Sequence, residues 1–439
     1  MVNSVSRFFK LEERRTTVRR ELLGGLVTFL TMSYILVVNP SILGETGMDK
    51  GALFTATALA TIVGTLLMAF LANLPIAQAP GMGLNVFFAY TIVLAMGYTW
   101  QFALTAVFIE GLTFILLTVF NVRELIVKSI PPAIKLAIPV GIGLLITFLG
   151  LQQAGIVVKN DATIAGVGDF SSPNVWIAAI GLIVTGALLA RKVPGAILMG
   201  ILVSTVCGIF FGQAHLPEGS LIALPPDVRP VLLQFEWSNV LTLDMLIAVF
   251  TLLFVNLFDT IGTLIGVALK AGFADREGNF PQLRRALLSD ALATTFGAML
   301  GTSTLASYIE SASGVASGGR TGLTAVSVGI MFAVALFFAP LFLMIPAAAT
   351  APALIIVGLF MIAAVTQLSF DDVTEALPTF LTIVMMPFTA SIAQGVIFGM
   401  LSFVALKTLC GKHRQISAPM YVIAALLLLK VVLDGLMYG

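Results

Sequence analysis

Runs of about 20 apolar residues, separated by short polar connections, recur along nearly the whole of this 439-residue chain. A helix needs about 20 such residues to cross the hydrocarbon core of a bilayer. Hydrophobic residues make up 59% of the chain and charged residues only 10%, whereas a typical soluble domain has about 25% charged residues. The sequence therefore predicts an all-α polytopic membrane protein, with connections too short to hold a separate soluble domain.

The apolar runs divide into two groups of seven predicted spans, with the polar, proline-containing connection 213–242 between them. Pro387 and the polar run "TASIAQG" (389–395) predict a break between the last two spans. A final apolar stretch, 418–437, is either a fifteenth span or a helix along the membrane surface. The fourteen predicted spans are 22–43, 52–71, 76–95, 101–120, 131–150, 174–190, 194–212, 243–269, 284–301, 303–318, 321–344, 350–367, 377–390 and 391–409.

The distribution of basic residues predicts a cytoplasmic N-terminus in a bacterial-type cytoplasmic membrane. The apolar run that follows the basic segment 1–21 is too long for the core of a signal peptide. With fourteen spans, only Lys50, Lys159 and Arg229 fall in outer loops, as the positive-inside rule prefers. The residues predicted inside are Arg123, Lys128, Arg191, Lys192, Arg276, Arg284, Arg285, Arg320, Lys407, Lys412 and Arg414.

Cysteine, histidine and net charge narrow the classes of function. Cys207 and Cys410 lie in or beside apolar segments, which speaks against a disulfide framework. His215 and His413 lie in polar connections, so no zinc site or cofactor is expected and proton chemistry inside the membrane must use carboxylates. The net charge of +1, with no long basic tract, speaks against a nucleic-acid partner.

Two interrupted segments indicate the position of a transport site. An odd number of spans in each half places the second half upside down relative to the first. The third span, "PIAQAPGMGLNVFFAY" (75–90), and the tenth, "GTSTLASYIESASGVASGG" (301–319), are the segments richest in Gly, Pro and Ser at membrane depth. Irregular backbone is tolerated there only if protein buries it or it lines a cavity, so we expect the substrate between these two segments.

Four carboxylates fall within the predicted spans. Each costs about 2.5–3.5 kcal/mol at a helix centre on insertion scales, so each should face protein or water. Glu110 and Asp290 lie outside the interrupted segments and are either contacts between helices or functional groups. Asp259 and Glu310 are the expected substrate-binding and proton-coupling residues.

The surroundings of Asp259 and Glu310 favour a particular kind of ligand. Asn256 and Thr263 lie one turn before and one turn after Asp259, which predicts a polar stripe on that helix. Glu310 begins the helical half of the tenth span, where backbone N–H groups favour an acceptor. Carboxylates beside free N–H groups suit a neutral ligand with both donors and acceptors, as a nucleobase has, or else a proton or cation.

Four further residues are candidates for contact with that ligand. Asn85 is either an ordinary helix-capping residue or a direct ligand contact. The aromatic rings of Phe87, Phe88 and Tyr308 either stack on a planar ligand or pack in the core.

Five blocks of sequence, taken together, resemble the azaguanine-like branch of the nucleobase:cation symporter-2 family. The resemblance spans nearly the whole chain, and the combination of blocks is highly specific. The blocks are "GGLVTFLTMSYILVVNP" (24–40), "APGMGLNVFFAY" (79–90), "FVNLFDTIGTLIG" (254–266), "GTSTLASYIESASGVASGGRTGLTAV" (301–326) and "TAPALIIVGLFM" (350–361).

The resemblance implies a uracil-permease-like fold of two inverted seven-segment repeats, with short strands and half-helices in segments 3 and 10. It implies a core domain and a gate domain, and a homodimer in which the gate domains make contact. The implied parts are a cytoplasmic N-terminal segment, 1–21; the core domain, 22–120 and 243–344; the first gate part with the connection, 121–242; and the second gate part with the C-terminal apolar segment, 345–439.

The resemblance also assigns residues. The acidic position of the eighth segment and the glutamate of the tenth, which bind the base in the family, match Asp259 and Glu310. The asparagine of the third segment matches Asn85. Uracil permeases have histidine where this chain has Thr263, so their proton arrangement does not carry over whole.

Members of this branch carry purine bases, and the sequence gives two conflicting signals about which one. "APGMGLN" (79–85) resembles carriers of hypoxanthine and guanine, whereas Asn256, where several of those have aspartate, resembles adenine carriers. We expect import of 6-oxopurines by proton symport, because a lactam edge offers donors to a carboxylate.

Besides an adenine-specific proton symporter, the sequence leaves three alternatives open. Sodium is the alternative coupling ion, because Asp259, Asn256 and Thr263 supply oxygen ligands. An anion exchanger of the same fold should lack the acidic pair. An intramembrane aspartyl-type enzyme would use two close carboxylates, but no "GxGD"-like motif accompanies them.

Overall fold

The structure, a computed structural model, describes residues 2–120, 131–160, 163–217, 220–274 and 280–438. The chain is mostly helical, and the helices are numbered here in chain order. Those of the first half are α1 Val2–Phe8, α2 Val18–Met32, α3 Ile35–Gly44, α4 Lys50–Leu67, α5 Met82–Val86, α6 Trp100–Val119, α7 Pro132–Gln153, α8 Pro173–Ala190 and α9 Ala196–Phe210. Those of the second half are α10 Leu243–Ala271, α11 Leu283–Leu300, α12 Ser311–Ala316, α13 Gly322–Ala335, α14 Ala339–Leu343, α15 Ala347–Ile362, α16 Val373–Thr389, α17 Ile392–Leu409 and α18 Ala418–Tyr438.

The helices confirm the predicted polytopic α-helical fold. Within the described ranges, nine helical segments are long and apolar enough to cross a membrane. Shorter apolar helices such as Ala196–Phe210 and Val373–Thr389 account for further predicted spans. Each of the fourteen predicted spans coincides, to within a few residues, with one helix, with two consecutive helices, or with a strand followed by a helix; the eighth, predicted at 243–269, is Leu243–Ala271.

The break between the last two spans is confirmed, and it falls in the predicted polar run 389–395 rather than at Pro387. Helix α16 continues through Pro387 to Thr389. The turn is made by Ala390, whose φ of 50° is left-handed, and Ser391 caps α17 by accepting a hydrogen bond from the Gln394 N–H. Proline thus stays inside the helix, and the polar residues after it end the span.

Two further sequence predictions concern the basic residues near the spans and the apolar stretch near the C-terminus. The basic residues Arg123, Lys128 and Arg276, which were counted on the cytoplasmic side, lie outside the described residues. The apolar stretch near the C-terminus forms α18, which packs on α17.

Two short strands join the halves of the chain. β1 (Gln78–Pro80) pairs antiparallel with β4 (Leu305–Ser307), with Gln78 opposite Ser307 and Pro80 opposite Leu305. Their burial is complete, so the strand edges are satisfied by protein, as hydrocarbon demands. The predicted strands in the third and tenth segments are therefore confirmed. β2 (Val157–Asn160) and β3 (Ile164–Val167) form a separate hairpin after α7.

Helix packing brings together distant parts of the sequence. Helices α2, α4 and α6 pack on α13 and α11. Helix α7 packs on α15 and α16, and α9 packs on α8 and α15. The division into core and gate domains, and the homodimer, stay predictions.

Candidate functional site

The paired strands β1 and β4 place the N-terminal ends of α5 and α12 beside the same region of the molecule. β1 leads into α5, which continues as a π-helix over Phe87–Ala95, and β4 leads into α12. Gly81, the N-cap of α5, donates its N–H to the carbonyl of Thr304 at 2.9 Å, and Tyr308 donates its N–H to Ala77 at 2.9 Å. Residues at both helix starts line one cavity, so the interrupted segments meet there.

The cavity has a polar wall and an apolar wall. Its volume, including its opening to solvent, is about 510 Å³. The polar wall contains both Asp259 and Glu310. Val357, Phe360 and Met361 of α15 form the apolar wall. Such a cavity fits a planar ligand with polar edges and an apolar face.

Glu310 is held in place by Tyr34, which was not among the site residues predicted from the sequence. The Tyr34 hydroxyl donates a 2.7 Å hydrogen bond to Oε1 of Glu310. Tyr34 lies between α2 and α3, where the first span is interrupted, and its buried side chain lines the cavity. The signal for it in the sequence was the Ser33–Tyr34 pair in the middle of the first predicted span.

Asp259 shares its helix face with Thr263. Both lie on α10 and line the cavity, one turn apart. Tyr308 also lines it, and its hydroxyl donates a 2.6 Å hydrogen bond to the carbonyl of Pro80, which fixes the ring in the wall. Of the seven predicted site residues, the structure thus brings together Asp259, Thr263, Tyr308 and Glu310.

The other three predicted site residues lie behind the polar wall. Asn85, Asn256 and Phe87 are fully buried and are not among the residues that line the cavity. Oδ1 of Asn85 accepts a hydrogen bond from the Ser303 hydroxyl, and Phe87 packs in the main hydrophobic core. A role for these side chains in substrate binding stays a prediction.

Glu110 and Asp290 belong to a buried polar network. Asn256 donates to Oε1 of Glu110 at 3.1 Å, and the Thr304 hydroxyl donates to Oε2. Asp290 accepts from Gln78 Nε2 at 3.1 Å. The network connects α6, α10 and α11 to both short strands.

A second cavity meets the first at Glu310. Its volume, including its opening, is about 1420 Å³, and Ile309, Glu310 and Phe360 line both cavities. Lys192 and Lys270 line the second one. The carboxylate is therefore reachable from the side on which Lys192 lies. Among the described residues, no three His, Cys, Asp or Glu side chains are grouped to hold a metal ion.

The family follows from comparison with known proteins. Residues 19–398 match the model described as a permease family, and the chain belongs to this family, nucleobase:cation symporter-2. It is therefore an integral membrane transporter rather than an enzyme.

Two relatives show how closely the chain resembles named permeases. The chain is 44% identical over 430 residues to the adenine permease AdeQ of Escherichia coli (strain K12), covering 98% of this chain and 96% of that protein. It is 43% identical over 425 residues to the guanine/hypoxanthine permease PbuG of Bacillus subtilis (strain 168), covering 94% and 96%.

A solved structure shows the same fold. The transmembrane domain of the cyanobacterium bicarbonate transporter BicA superposes with a TM-score of 0.65 at 16% identity, covering 86% of this chain and 97% of that one. At this level of identity the likeness concerns the fold alone.

Proposed function

We propose that this protein imports a 6-oxopurine, hypoxanthine or guanine, by proton symport across the cytoplasmic membrane. The observation that carries the proposal is that Asp259 and Glu310 line one cavity beside the N-terminal ends of α5 and α12. Carboxylates accept hydrogen bonds from ring N–H and amino groups, and backbone N–H groups donate to carbonyl and ring-nitrogen acceptors. A purine base presents both kinds of group around its edge.

The apolar wall favours a flat aromatic ligand. Val357 and Met361 lie one turn apart on α15 with Phe360 between them, and all three line the cavity. An inorganic anion would gain nothing from this wall and would meet two carboxylates opposite it. This arrangement favours a purine over the oxyanion expected for an anion exchanger.

Adenine is the second candidate, favoured by the similarity to an adenine permease. Adenine and the 6-oxopurines differ at position 6, where adenine has an amino donor and the others have a carbonyl acceptor. A guanine/hypoxanthine permease is about equally similar to this chain. Since Asn256 lies behind the wall, it does not choose between them by direct contact.

The coupling ion is proposed to be a proton carried by a carboxylate of the same region. Asp259 and Glu310 are the carriers predicted from the sequence. Burial disfavours the charged form of a carboxylate and therefore favours the binding of a proton. Sodium is the alternative, and Asp259 and Thr263 still share the wall and supply oxygen atoms for it. The second cavity gives the ion and the base a shared route of release.

Uptake by purified protein in proteoliposomes tests both parts of the proposal. We expect an inward proton gradient to drive accumulation of radiolabelled hypoxanthine, and an uncoupler to abolish it. Excess guanine should compete more strongly than adenine. If accumulation does not respond to the proton gradient but responds to sodium, proton coupling is contradicted. If the protein transports oxyanions and purines have no effect, purine transport itself is contradicted.

A further inference from the structure

Four buried polar side chains form a continuous chain behind the cavity wall, here called the relay. It runs from Glu110 on α6, through Asn256 and Thr260 on α10, to Asp290 on α11, and each of these side chains is fully buried. None of the four lines the cavity. The relay therefore holds two carboxylates that are separate from Asp259 and Glu310.

The contacts of the relay are all within hydrogen-bond distance. Nδ2 of Asn256 lies 3.1 Å from Oε1 of Glu110. Oγ of Thr260 lies 3.0 Å from Oδ1 of Asn256, and 3.0 and 3.1 Å from the two carboxylate oxygens of Asp290. These distances join three pairs of side chains, Glu110 with Asn256, Asn256 with Thr260, and Thr260 with Asp290, and each pair needs a proton between its two members.

The side chains do not supply enough protons if both carboxylates are ionised. An ionised carboxylate only accepts, a threonine hydroxyl has one proton to donate, and an asparagine donates from its nitrogen alone. Thr260 can thus donate either to Asp290 or to Asn256, but not fully to both. One of the two contacts would then bring lone pairs together in a buried site, which is costly.

Rotation of the Asn256 amide does not remove the deficit. With nitrogen toward Thr260, the hydroxyl of Thr260 is free to donate to Asp290, but the amide oxygen then faces Oε1 of Glu110. In either orientation the relay is complete with one added proton. That proton lies on Asp290 when the amide nitrogen faces Glu110, and on Glu110 when the amide is turned.

The relay is tied to both strands that carry the cavity wall. Gln78 of β1 donates to Asp290 at 3.1 Å, and Ser307 of β4 donates to the same oxygen at 3.4 Å. Thr304, next to β4, donates to Glu110. A change in the protonation of the relay therefore acts directly on the strands that position α5 and α12.

The other titratable groups on the surrounding elements are placed differently. Asp259, Tyr308 and Glu310 line the cavity. Among the described residues, Tyr90 lies on the π-helix Phe87–Ala95. The others lie near helix ends: Lys50 on α4, Lys135 on α7, Asp244 and Lys270 on α10, and Arg284 and Arg285 on α11.

We propose that the relay binds one proton and that this is the proton transported with the purine. The inference rests on the proposed function and moves the coupling proton from the wall to the relay. In symport the base and the proton are bound together, and a proton held in the relay leaves the oxygens of Asp259 and Glu310 free to accept purine N–H groups. On release the proton passes to water, the carboxyl that held it becomes ionised, and one relay contact loses its proton.

Glu110→Gln is the decisive variant, because a glutamine amide supplies permanently the N–H that the added proton provides. For one coupled proton, a pH difference of one unit corresponds to 1.36 kcal/mol, or about tenfold accumulation. We expect the wild type in proteoliposomes to approach that accumulation of hypoxanthine, and the variant to accumulate none while still exchanging labelled for unlabelled hypoxanthine. Glu12→Gln, on the exposed surface, is the matched control and should behave as the wild type.

A second pair of variants tests the middle of the relay. Thr260→Ser keeps the hydroxyl, so we expect it to retain gradient-driven accumulation. Thr260→Val keeps the shape but removes the hydroxyl, so we expect accumulation to be lost.

The outcomes separate this inference from the proposed function. If Glu110→Gln still accumulates hypoxanthine in response to the pH gradient, the relay does not hold the coupling proton, and the wall carboxylates remain its candidates. If the folded variant loses exchange as well, the relay is only structural and the inference is wrong. If the wild type itself exchanges no purine, the proposed function fails.

Discussion

Single residues decide how the cavity can hold a base. Tyr34 donates a hydrogen bond to Oε1 of Glu310, and the carboxylate keeps further lone pairs that can accept a ligand N–H. The hydroxyl also orients the carboxylate, which lies at the start of α12 without capping it through its side chain. Tyr34 is thus a positioning residue for Glu310.

Tyr34→Phe is therefore expected to weaken purine binding while leaving the fold intact. A hydrogen bond to a charged group contributes about 1.5–3 kcal/mol, and part of that should appear as an increase in the Kd for hypoxanthine of about tenfold. Equilibrium binding to the purified protein measures it. Tyr421→Phe, on α18, is the control, and an unchanged Kd in Tyr34→Phe would show that Glu310 needs no such support.

The site residues show what sequence alone can predict and where it fails. Asp259 and Thr263 were predicted correctly to share a face, because four residues rotate a helix by only about 40° beyond a full turn. Asn256, three residues before Asp259, lies about 60° around the helix from it, just beyond Thr263, and Thr260 lies about 100° around; both contact the groups behind the wall, Glu110 and Asp290. The predicted polar stripe is therefore wider than the cavity, and only tertiary packing shows which part of it meets the cavity.

At the scale of elements, the short helix α12 depends on close packing. It lies against α2, and an added Cβ at Gly314 would be 2.1 Å from Oγ1 of Thr28 and 2.4 Å from the carbonyl of Gly24. No side chain fits there unless α12 moves. Glu310, directly before this helix, would move with it.

Gly314→Val should therefore abolish purine binding, because it displaces the element that carries Glu310. Gly186→Val is the matched control, since an added Cβ at Gly186 meets nothing within 4 Å. Stabilisation by hypoxanthine in a thermal unfolding assay measures both variants. Equal stabilisation of Gly314→Val and the control would contradict the importance of this packing.

An ion-pair cluster joins α16 to α17. Nζ of Lys407 is 2.8 Å from Glu375, and its side chain is only 1% exposed. From the sequence, Lys407 was predicted only as a basic residue on the cytoplasmic side. Its pairing partners are 32 and 35 positions away in the sequence, so no local pattern showed that it would be buried.

Glu375→Gln should destabilise the folded protein, because the buried ammonium group of Lys407 loses its nearest counter-charge. Breaking a fully buried pair costs about 3–5 kcal/mol, and since Glu375 is 46% exposed we expect about 1–2 kcal/mol after solvent screening. Thermal unfolding in detergent measures the loss. Glu13→Gln, which breaks the exposed pair with Lys10, should change stability far less, and equal effects would contradict the distinction.

At the scale of the whole molecule, the two cavities describe a route. They meet at Ile309, Glu310 and Phe360, and the larger one is lined by Lys192 and Lys270.

The fourteen spans could be predicted because each apolar run is long and bounded by polar or small residues. The meeting of the two interrupted segments was predicted from their matching positions in the two halves, but the opening of the site toward one side could not be, since it depends on how distant helices pack.

This route predicts one-sided access. Ser313 lines the larger cavity, so Ser313→Cys, in a background lacking Cys207 and Cys410, should react with a membrane-impermeant thiol reagent only from the cytoplasmic side. Lys50→Cys, in a predicted outer loop, should react only from outside. The reverse pattern would contradict the predicted orientation of the chain.

The proposed function depends most on the binding of a purine base between Asp259 and Glu310. Equilibrium binding of radiolabelled hypoxanthine to purified wild type, Asp259→Asn, Glu310→Gln and Glu12→Gln tests this directly. Loss of a hydrogen bond to a charged group costs about 1.5–3 kcal/mol, or about 10- to 150-fold in affinity. We predict a loss of this size in both wall variants and none in Glu12→Gln, whereas wild-type affinity in Asp259→Asn and Glu310→Gln would show that the base binds elsewhere.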